Sequence, residues 1–274
     1  MLGMGKKILI ANILGELANI FIATNEKTVI FYWIYAISIM LQIYFDFSGY
    51  SDMAIGLGKM FGFEFPENFN YPYISKSITE FWRRWHMSLG TWFRDYIYIP
   101  LGGNRTSKIK WLRNIFVVWF FTGLWHGADW NFILWGVFFG VILTIEKLFL
   151  DKILKKAPKV LNHIYVLFLV MISFILFNAE SLGVAINNIK GLFGIGNIPF
   201  SSAETLYYLK SYAIILIIAG IASTQVGKKL VQKIKDKKAG IINFLEVVYI
   251  FVLLIVCTSY IIDGSFNPFL YFRF

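Results

Sequence analysis

Two histidines occupy positions from which they could act in catalysis. His126 lies in the stretch GLWHGADW, between two long apolar runs, and His86 ends the stretch FWRRWH. A neutral imidazole can accept a proton near physiological pH, and it can also accept and pass on an acyl group. Each histidine has a structural alternative, since His126 can hydrogen-bond between two helices and His86 can be an amphipathic side chain at an interface. A third, His163, opens an apolar run beside a basic loop, which is typical of a boundary residue.

Other catalytic and metal-binding patterns are missing from the sequence. There is no P-loop, GLFGIGNIP departs from the G-x-G-x-x-G spacing, and no G-x-S-x-G motif offers a serine nucleophile. Asp46 and Asp52 have no histidine at ligand spacing, which favours a helix-terminal or pore-lining role over a metal site. Cys257 is the only cysteine, so a disulfide framework and a thiolate metal site are excluded. We therefore predict no metal site.

The composition indicates that these histidines belong to a membrane protein. The chain has 274 residues, of which 58% are hydrophobic and 15% are charged, whereas soluble domains carry about 25% charged residues. Aromatic residues make up 19%, which suits a protein with two membrane interfaces. The net charge of +10 comes from lysines clustered in short loops between apolar runs. That pattern reflects membrane topology rather than nucleic-acid binding.

The elements that must position the histidines are apolar segments. A membrane-spanning helix needs about 20 residues. Five segments qualify: 28–45, 129–150, 161–177, 206–222 and 241–262. Two shorter segments can be short spans or re-entrant helices: 8–23 and 112–127. The sequence therefore predicts an all-α polytopic membrane protein, with about seven transmembrane or re-entrant helices in a single membrane domain over residues 1–274.

The basic residues predict the orientation of these helices. The loops at 102–113, 151–159 and 227–238 are expected in the cytoplasm, whereas 178–205 carries only Lys190 and is expected outside. The alternation of sides then leaves the N-terminus in the cytoplasm and the C-terminal DGSFNPFLYFRF outside. We predict a multi-pass protein of the cell membrane, in contact with membrane lipid.

Residues 75–99 are too polar to span and are predicted to form one amphipathic helix, in the membrane interface or packed under the spans at the cytoplasmic side. Ser77 or Thr79 can cap this helix, and Pro100 ends it. His86 falls at the edge of its aromatic face. This helix would carry the second histidine toward the protein or the membrane.

His126 is expected where two helices meet. On a helix over 112–127, Gly123 shares its face and leaves space beside the imidazole. Asp129 can cap the next helix, and Trp125 and Trp130 are expected to form the walls of the cavity. An imidazole in such a cavity is a candidate general base.

Several motifs together resemble one family. FWRRWHMSLGTWFRDYIYIPLGGNR (81–105), FTGLWHGADWNFILWG (121–136), FDFSGYSDMAIG and FNPFLYFRF are similar to the membrane-bound O-acyltransferases, in the branch of alginate O-acetylation membrane proteins. The resemblance implies a tunnel through the membrane, with His126 as the catalytic residue and His86 as a second functional one. It implies an acetyl group drawn from a cytoplasmic donor, acetyl-CoA, with no permanently bound cofactor. The final acceptor would be a surface polysaccharide, reached through a separate extracytoplasmic acetyltransferase.

The resemblance also raises two questions about this chain. Arg83, Arg84 and Arg94 lie where an anionic CoA donor would approach, although they can equally anchor a cytoplasmic surface. Family members carry further spans before the stretch that matches residues 1–60, so we expect this chain to be a fragment, to need spans from another polypeptide, or to be inactive. Two other functions remain open: a transporter for an acyl group or lipid-linked sugar, which could tolerate glutamine at His126, and a scaffold for an extracellular transferase.

Overall fold

The computed structural model describes residues 1–263, and this part of the chain is helical without a β-strand. The α-helices are α1 Leu2–Gly5, α2 Asn12–Ala23, α3 Val29–Met60, α4 Ile78–Trp82, α5 Met87–Phe93, α6 Lys108–His126, α7 Trp130–Ile145, α8 Asp151–Leu154, α9 Lys159–Asn178, α10 Leu182–Leu192, α11 Ala203–Ala222, α12 Val226–Lys235 and α13 Ala239–Asp263. Segments of π-helix continue three of them, at Lys6–Ala11, Arg94–Tyr98 and Glu146–Leu150. The FNPFLYFRF motif lies outside the described residues, as does the predicted position of the C-terminus.

Five helices in the described range are long and apolar enough to cross a membrane: Val29–Met60, Trp130–Leu154, Lys159–Asn178, Ala203–Ala222 and Ala239–Asp263. They overlap the five segments of span length in the sequence, although the first helix continues from the predicted end at residue 45 to Met60, and they confirm the all-α membrane fold. The two short apolar segments are also helical, in α2 and α6, but they are not among the five.

The described residues form two compact units. One unit consists of Met1–Pro66 with the described residues from Asn197 onward, and the other of Glu67–Gly196. In the first unit, α2 packs on α3 through Phe21, whose ring stacks on Tyr35 at 4.4 Å between centroids. Lys7 and Asp46 form a buried ion pair at 2.5 Å in the same unit, whereas the nearby pair of Lys6 and Asp52 is half-exposed. Each aspartate thus pairs with a lysine, and both lie inside α3, so the predicted helix-terminal position is wrong.

In the second unit, α6 and α7 form a tightly packed helical hairpin. A Cβ atom on Gly123 would lie 2.4 Å from the carbonyl oxygen of Phe132, and one on Gly136 would lie 2.2 Å from that of Trp119. Only residues without a side chain allow two helix backbones to approach this closely. The hairpin therefore depends on glycine at both positions.

The predicted continuous helix over 75–99 is wrong, because the structure breaks it at His86. Ser77 caps α4 as predicted, by accepting a hydrogen bond from the backbone N–H of Glu80 at 3.0 Å. The helix then ends, and His86 adopts a left-handed conformation with φ 44°.

The break has a tertiary cause that local periodicity does not reveal. The backbone N–H of Asn70 donates to the carbonyl of Arg84 at 2.9 Å, and the N–H of Met87 donates to the carbonyl of Asn68 at 3.1 Å. The side chain of Asn68 then accepts from the backbone N–H and the hydroxyl of Ser88. These bonds replace helical ones around residues 84–88, so His86 sits in a turn between α4 and α5.

Candidate active site

A buried carboxylate positions the turn that carries His86. Glu146 follows α7 and is only 2% exposed. It accepts hydrogen bonds from the backbone N–H of Ile78 at 2.6 Å, from the N–H and hydroxyl of Thr79 at 2.9 and 2.7 Å, and from the hydroxyl of Tyr165 at 3.2 Å. A carboxylate at a helix N-terminus satisfies N–H groups that have no partner within the helix. Glu146 therefore fixes the start of α4 to the end of α7.

The aromatic residues of α4 then pack against the α6–α7 hairpin. The ring of Trp82 lies 4.7 Å from Trp119, 5.7 Å from Trp135 and 4.8 Å from Phe139. Within residues 1–263, the indole N–H groups of Trp82 and Trp135 are buried without a hydrogen-bond acceptor. These indole N–H groups can make only weak edge-on interactions with neighbouring aromatic rings. Trp135 of this aromatic cluster also contacts the ring of His126, at 5.1 Å between centroids.

His126 is the last residue of α6, and its ring is surrounded by other rings. Its centroid lies 4.9 Å from Trp125, 5.1 Å from Trp135 and 5.0 Å from Phe177, with each pair nearly perpendicular. The walls therefore differ from the predicted ones, because Trp130 is 68% exposed. Trp135 and Phe177 lie on α7 and α9, where no local sequence signal connects them to His126.

The ring nitrogens of His126 have no hydrogen-bond partner among the described residues, and the side chain is half-buried. His163 differs, since its Nδ1 lies 3.0 Å from the carbonyl oxygen of Ser75. Asp129 stands at the N-cap of α7 as predicted, but its side chain makes no capping bond. The alternative in which His126 hydrogen-bonds between helices thus finds no support in residues 1–263.

The two candidate histidines lie near each other in this unit. His86 is close enough to His126 to interact with it electrostatically, and Trp125 contacts both rings, at 6.0 Å from His86. Burial lowers the pKa of His86 from its ordinary value of 6.5 to about 4. His86 is therefore a neutral imidazole at physiological pH.

A cavity of about 590 Å³ opens beside His86, and its lining includes Trp82, Arg83, Arg94 and Thr122. A second cavity of about 600 Å³ shares Arg83, Tyr98 and Trp119 with the first and is lined by polar residues, including Glu80, Lys147 and Lys155. The two cavities are therefore adjacent. His126 does not line either cavity, but it lies near His86, which lines the first.

The three predicted arginines differ in their surroundings. Arg83 lines both cavities, and no carboxylate in residues 1–263 pairs with it. Arg94 lines the first cavity but forms an exposed ion pair with Asp95 at 2.7 Å. Arg84 lines neither, since it bonds Glu80 at 2.9 Å and the carbonyl of Asn70 at 3.1 Å. Two lysines of the second cavity, Lys147 and Lys155, were not among the predicted residues, because they come close only through folding.

The described helices and their histidine-lined cavity define an all-α integral membrane protein with a candidate group-transfer site. Residues 2–185 match the model of MBOAT, the membrane-bound O-acyltransferase family. The chain therefore belongs to the membrane-bound O-acyltransferase family, as the motifs around His86 and His126 suggest.

Several curated proteins are similar to the chain. The "probable alginate O-acetylase AlgI" of Azotobacter vinelandii is 48% identical over 197 residues, which cover 72% of this chain and 40% of the relative. The protein of the same name from Pseudomonas putida is 38% identical over 294 aligned positions, which cover 100% of this chain and 60% of the relative. The peptidoglycan O-acetyltransferase of Helicobacter pylori is 37% identical over 201 residues, which cover 72% of this chain and 38% of the relative. The chain thus spans between 38% and 60% of the length of these relatives.

Proposed function

We propose that this chain takes part in the O-acetylation of a cell-surface polysaccharide, as a membrane-bound O-acetyltransferase that passes acetyl across the membrane from acetyl-CoA. The observation that carries the proposal is the half-buried imidazole of His126, whose nitrogens have no partner in the described residues and which adjoins a second, neutral histidine. The names of the relatives, alginate O-acetylase and peptidoglycan O-acetyltransferase, support a polysaccharide acceptor.

His126 can act in two ways, and both need an available nitrogen. As a base, it takes the proton of an acceptor hydroxyl while that oxygen attacks the thioester carbonyl, and the departing thiolate then receives the proton. As a carrier, the nitrogen itself attacks the carbonyl, and the thiolate leaves and takes the ring proton. The acceptor hydroxyl then takes the acetyl group from the imidazole, which receives the hydroxyl proton. The aromatic walls would limit access of water to the reacting carbonyl.

We assign the residues that line the cavities to binding of the acetyl donor. His86 is neutral and can hydrogen-bond to the acyl portion of a donor in the 590 Å³ cavity. Arg83 and Arg94 line that cavity and would contact the anionic groups of CoA. Arg84 is assigned to the fold instead, because Glu80 and Asn70 already engage its guanidinium.

The proposal also includes the orientation of the chain in the membrane and the proteins that work with it. The N-terminus and the basic loops lie in the cytoplasm, where the donor is available, and a separate extracytoplasmic acetyltransferase takes the acetyl group on the other side. Because the chain spans only part of its relatives' length, further spans from the same or another polypeptide would complete the tunnel.

Transfer of labelled acetyl from acetyl-CoA tests the proposal, in membranes that contain the chain and an extracytoplasmic acetyltransferase partner. His126→Ala and His126→Gln are expected to abolish transfer, at about 100-fold or more. His163→Gln is the matched control, because glutamine can donate the same bond to the carbonyl of Ser75. Full transfer by His126→Gln would favour a transporter, and full transfer by a variant that lacks both His86 and His126 would favour a scaffold.

The same assay also tests whether this chain is sufficient. If the wild-type chain transfers no acetyl, the N-terminal spans of a longer relative are supplied by co-expression. Recovery that depends on His126 would support the catalytic assignment and show that the additional spans are required. No recovery would count against acetyl transfer by this chain.

A further inference from the structure

The helix α12 connects two candidate membrane spans and has two distinct faces. It follows α11 after the turn at residues 223–225 and precedes α13, which begins at Ala239. At 3.6 residues per turn, four apolar residues fall within an arc of about 140°: Val226, Leu230, Val231 and Ile234. The remaining surface carries four lysines and one glutamine: Lys228, Lys229, Lys233, Lys235 and Gln232.

The apolar face of α12 is not covered by the described part of the chain. No residue of the helix is buried, and Val226, Leu230, Val231 and Ile234 are 60%, 57%, 44% and 40% exposed. A helix of a soluble core would bury this face, whereas a helix that lies in a membrane interface leaves it for lipid.

The charges of α12 are available to an anionic partner. Lys235 forms an ion pair with Glu246 at 3.1 Å, on the adjoining α13. No carboxylate within residues 1–263 pairs with Lys228, Lys229 or Lys233, and Lys237 and Lys238 follow directly after the helix. The segment thus combines an exposed apolar face with a concentrated positive charge.

We propose that α12 lies in the plane of the membrane interface and binds anionic lipid headgroups through its lysines. The positions of α11 and α13 support lipid as the partner of α12. Both helices are candidate spans, so they keep α12 within a few residues of the bilayer surface. In that position the apolar residues enter the acyl boundary and the lysines meet the headgroups. Each such lysine contributes about fivefold to the affinity for an anionic surface. The proposal does not depend on acetyl transfer.

Two fluorescent labels on opposite faces test this arrangement in the full chain, reconstituted in nanodiscs. In a Cys257→Ala background, a label at Leu230→Cys reports on the apolar face, and one at Gln232→Cys is the matched control on the polar face. Quenching by a spin-labelled lipid is compared with quenching by acrylamide, which is neutral and so is not attracted by lysines. In discs of phosphatidylcholine with phosphatidylglycerol, the ratio of lipid to acrylamide quenching is expected to be severalfold higher at position 230 than at position 232.

The contribution of the lysines to lipid binding is tested by substitutions that remove their charge and leave the helix intact. Replacing Lys228, Lys229 and Lys233 by glutamine is expected to reduce lipid quenching at position 230, and replacing them by arginine is expected to preserve it. The glutamine variant should equal the wild type in discs of phosphatidylcholine alone. Equal acrylamide quenching at positions 230 and 232 in anionic discs would overturn the proposal. Protection of position 230 from acrylamide that persists in detergent, together with cross-linking of α12 to a second copy of the chain, would also overturn the proposal. Protein rather than lipid would then cover this face.

Discussion

The carboxylate of Glu146 accepts a 2.6 Å hydrogen bond from the backbone N–H of Ile78, across 68 residues of sequence. This bond fixes the N-terminus of α4 to the end of the α6–α7 hairpin, four residues before Trp82 enters the aromatic cluster. Glu146 is therefore a positioning residue for the turn that holds His86.

Removal of this carboxylate is expected to destabilise the second unit. Glu146→Ala leaves the buried donor of Ile78 and the half-buried donors of Thr79 and Tyr165 without this acceptor, which costs about 3 kcal/mol or more. Glu146→Gln keeps one oxygen and should cost less. Chemical unfolding in detergent measures both, with Asp151→Ala, at an exposed ion pair, as the control expected within about 1 kcal/mol. Equal stability of all three variants would contradict the role.

The close approach of α6 and α7 predicts that alanine is destabilising at two glycines. Gly123→Ala and Gly136→Ala place a Cβ atom 2.4 and 2.2 Å from a backbone carbonyl oxygen, so the helices must separate at a cost of about 1–3 kcal/mol. Gly220→Ala is the matched control, because its Cβ would meet nothing within 4 Å. Its higher helix propensity should stabilise α11 slightly. Thermal unfolding of the three variants would reveal the difference, and an unchanged Gly123→Ala would argue against the observed packing.

The ion pairs of the first unit differ in burial and should differ in energetic importance. Asp46→Asn leaves the ammonium of Lys7 in a buried site and is expected to cost about 3–5 kcal/mol. Asp52→Asn breaks the half-exposed pair with Lys6 and should cost less than about 1 kcal/mol. The free energy of unfolding of the two single variants gives the comparison. Equal losses would show that burial does not determine how much each ion pair contributes to the free energy of unfolding.

The low pKa of His86 predicts a loss of stability in acid. Folding lowers this pKa from 6.5 to about 4, so between these values the unfolded chain binds a proton that the folded chain does not. Stability is therefore unaffected above about pH 6.5 and falls below it, by about 2 kcal/mol at pH 5. Burial of the imidazole, which disfavours its charged form, is the cause of this shift. The wild type should lose more stability than His86→Gln between pH 7 and pH 5, and parallel curves would refute the assignment.

Donor binding is expected to distinguish two adjacent arginines. Arg83→Gln removes a cation that lines both cavities and should raise the KM for acetyl-CoA about tenfold. Arg84→Gln breaks the contacts with Glu80 and Asn70 and should act on stability, with KM nearly unchanged. Steady-state transfer rates at varied donor concentration separate the two effects. A larger KM change for Arg84→Gln would reverse the assignment.

Much of the architecture could be predicted from local sequence. The five candidate spans follow from apolar length, because every backbone polar group in lipid must be satisfied within its own helix. The cap at Ser77 follows from its side-chain chemistry. His86 and His126 stand out since ionisable groups are rare in such surroundings.

Only the tertiary structure decided how these parts come together. The break at His86 arises because Asn68 and Asn70 compete for backbone hydrogen bonds that helical periodicity assigns to one continuous helix. The walls of His126 come from Trp135 and Phe177, and the acceptor for the start of α4 comes from Glu146. A sequence pattern reports residues a turn or two apart, whereas these contacts join residues that only the packing of separate helices brings within bonding distance.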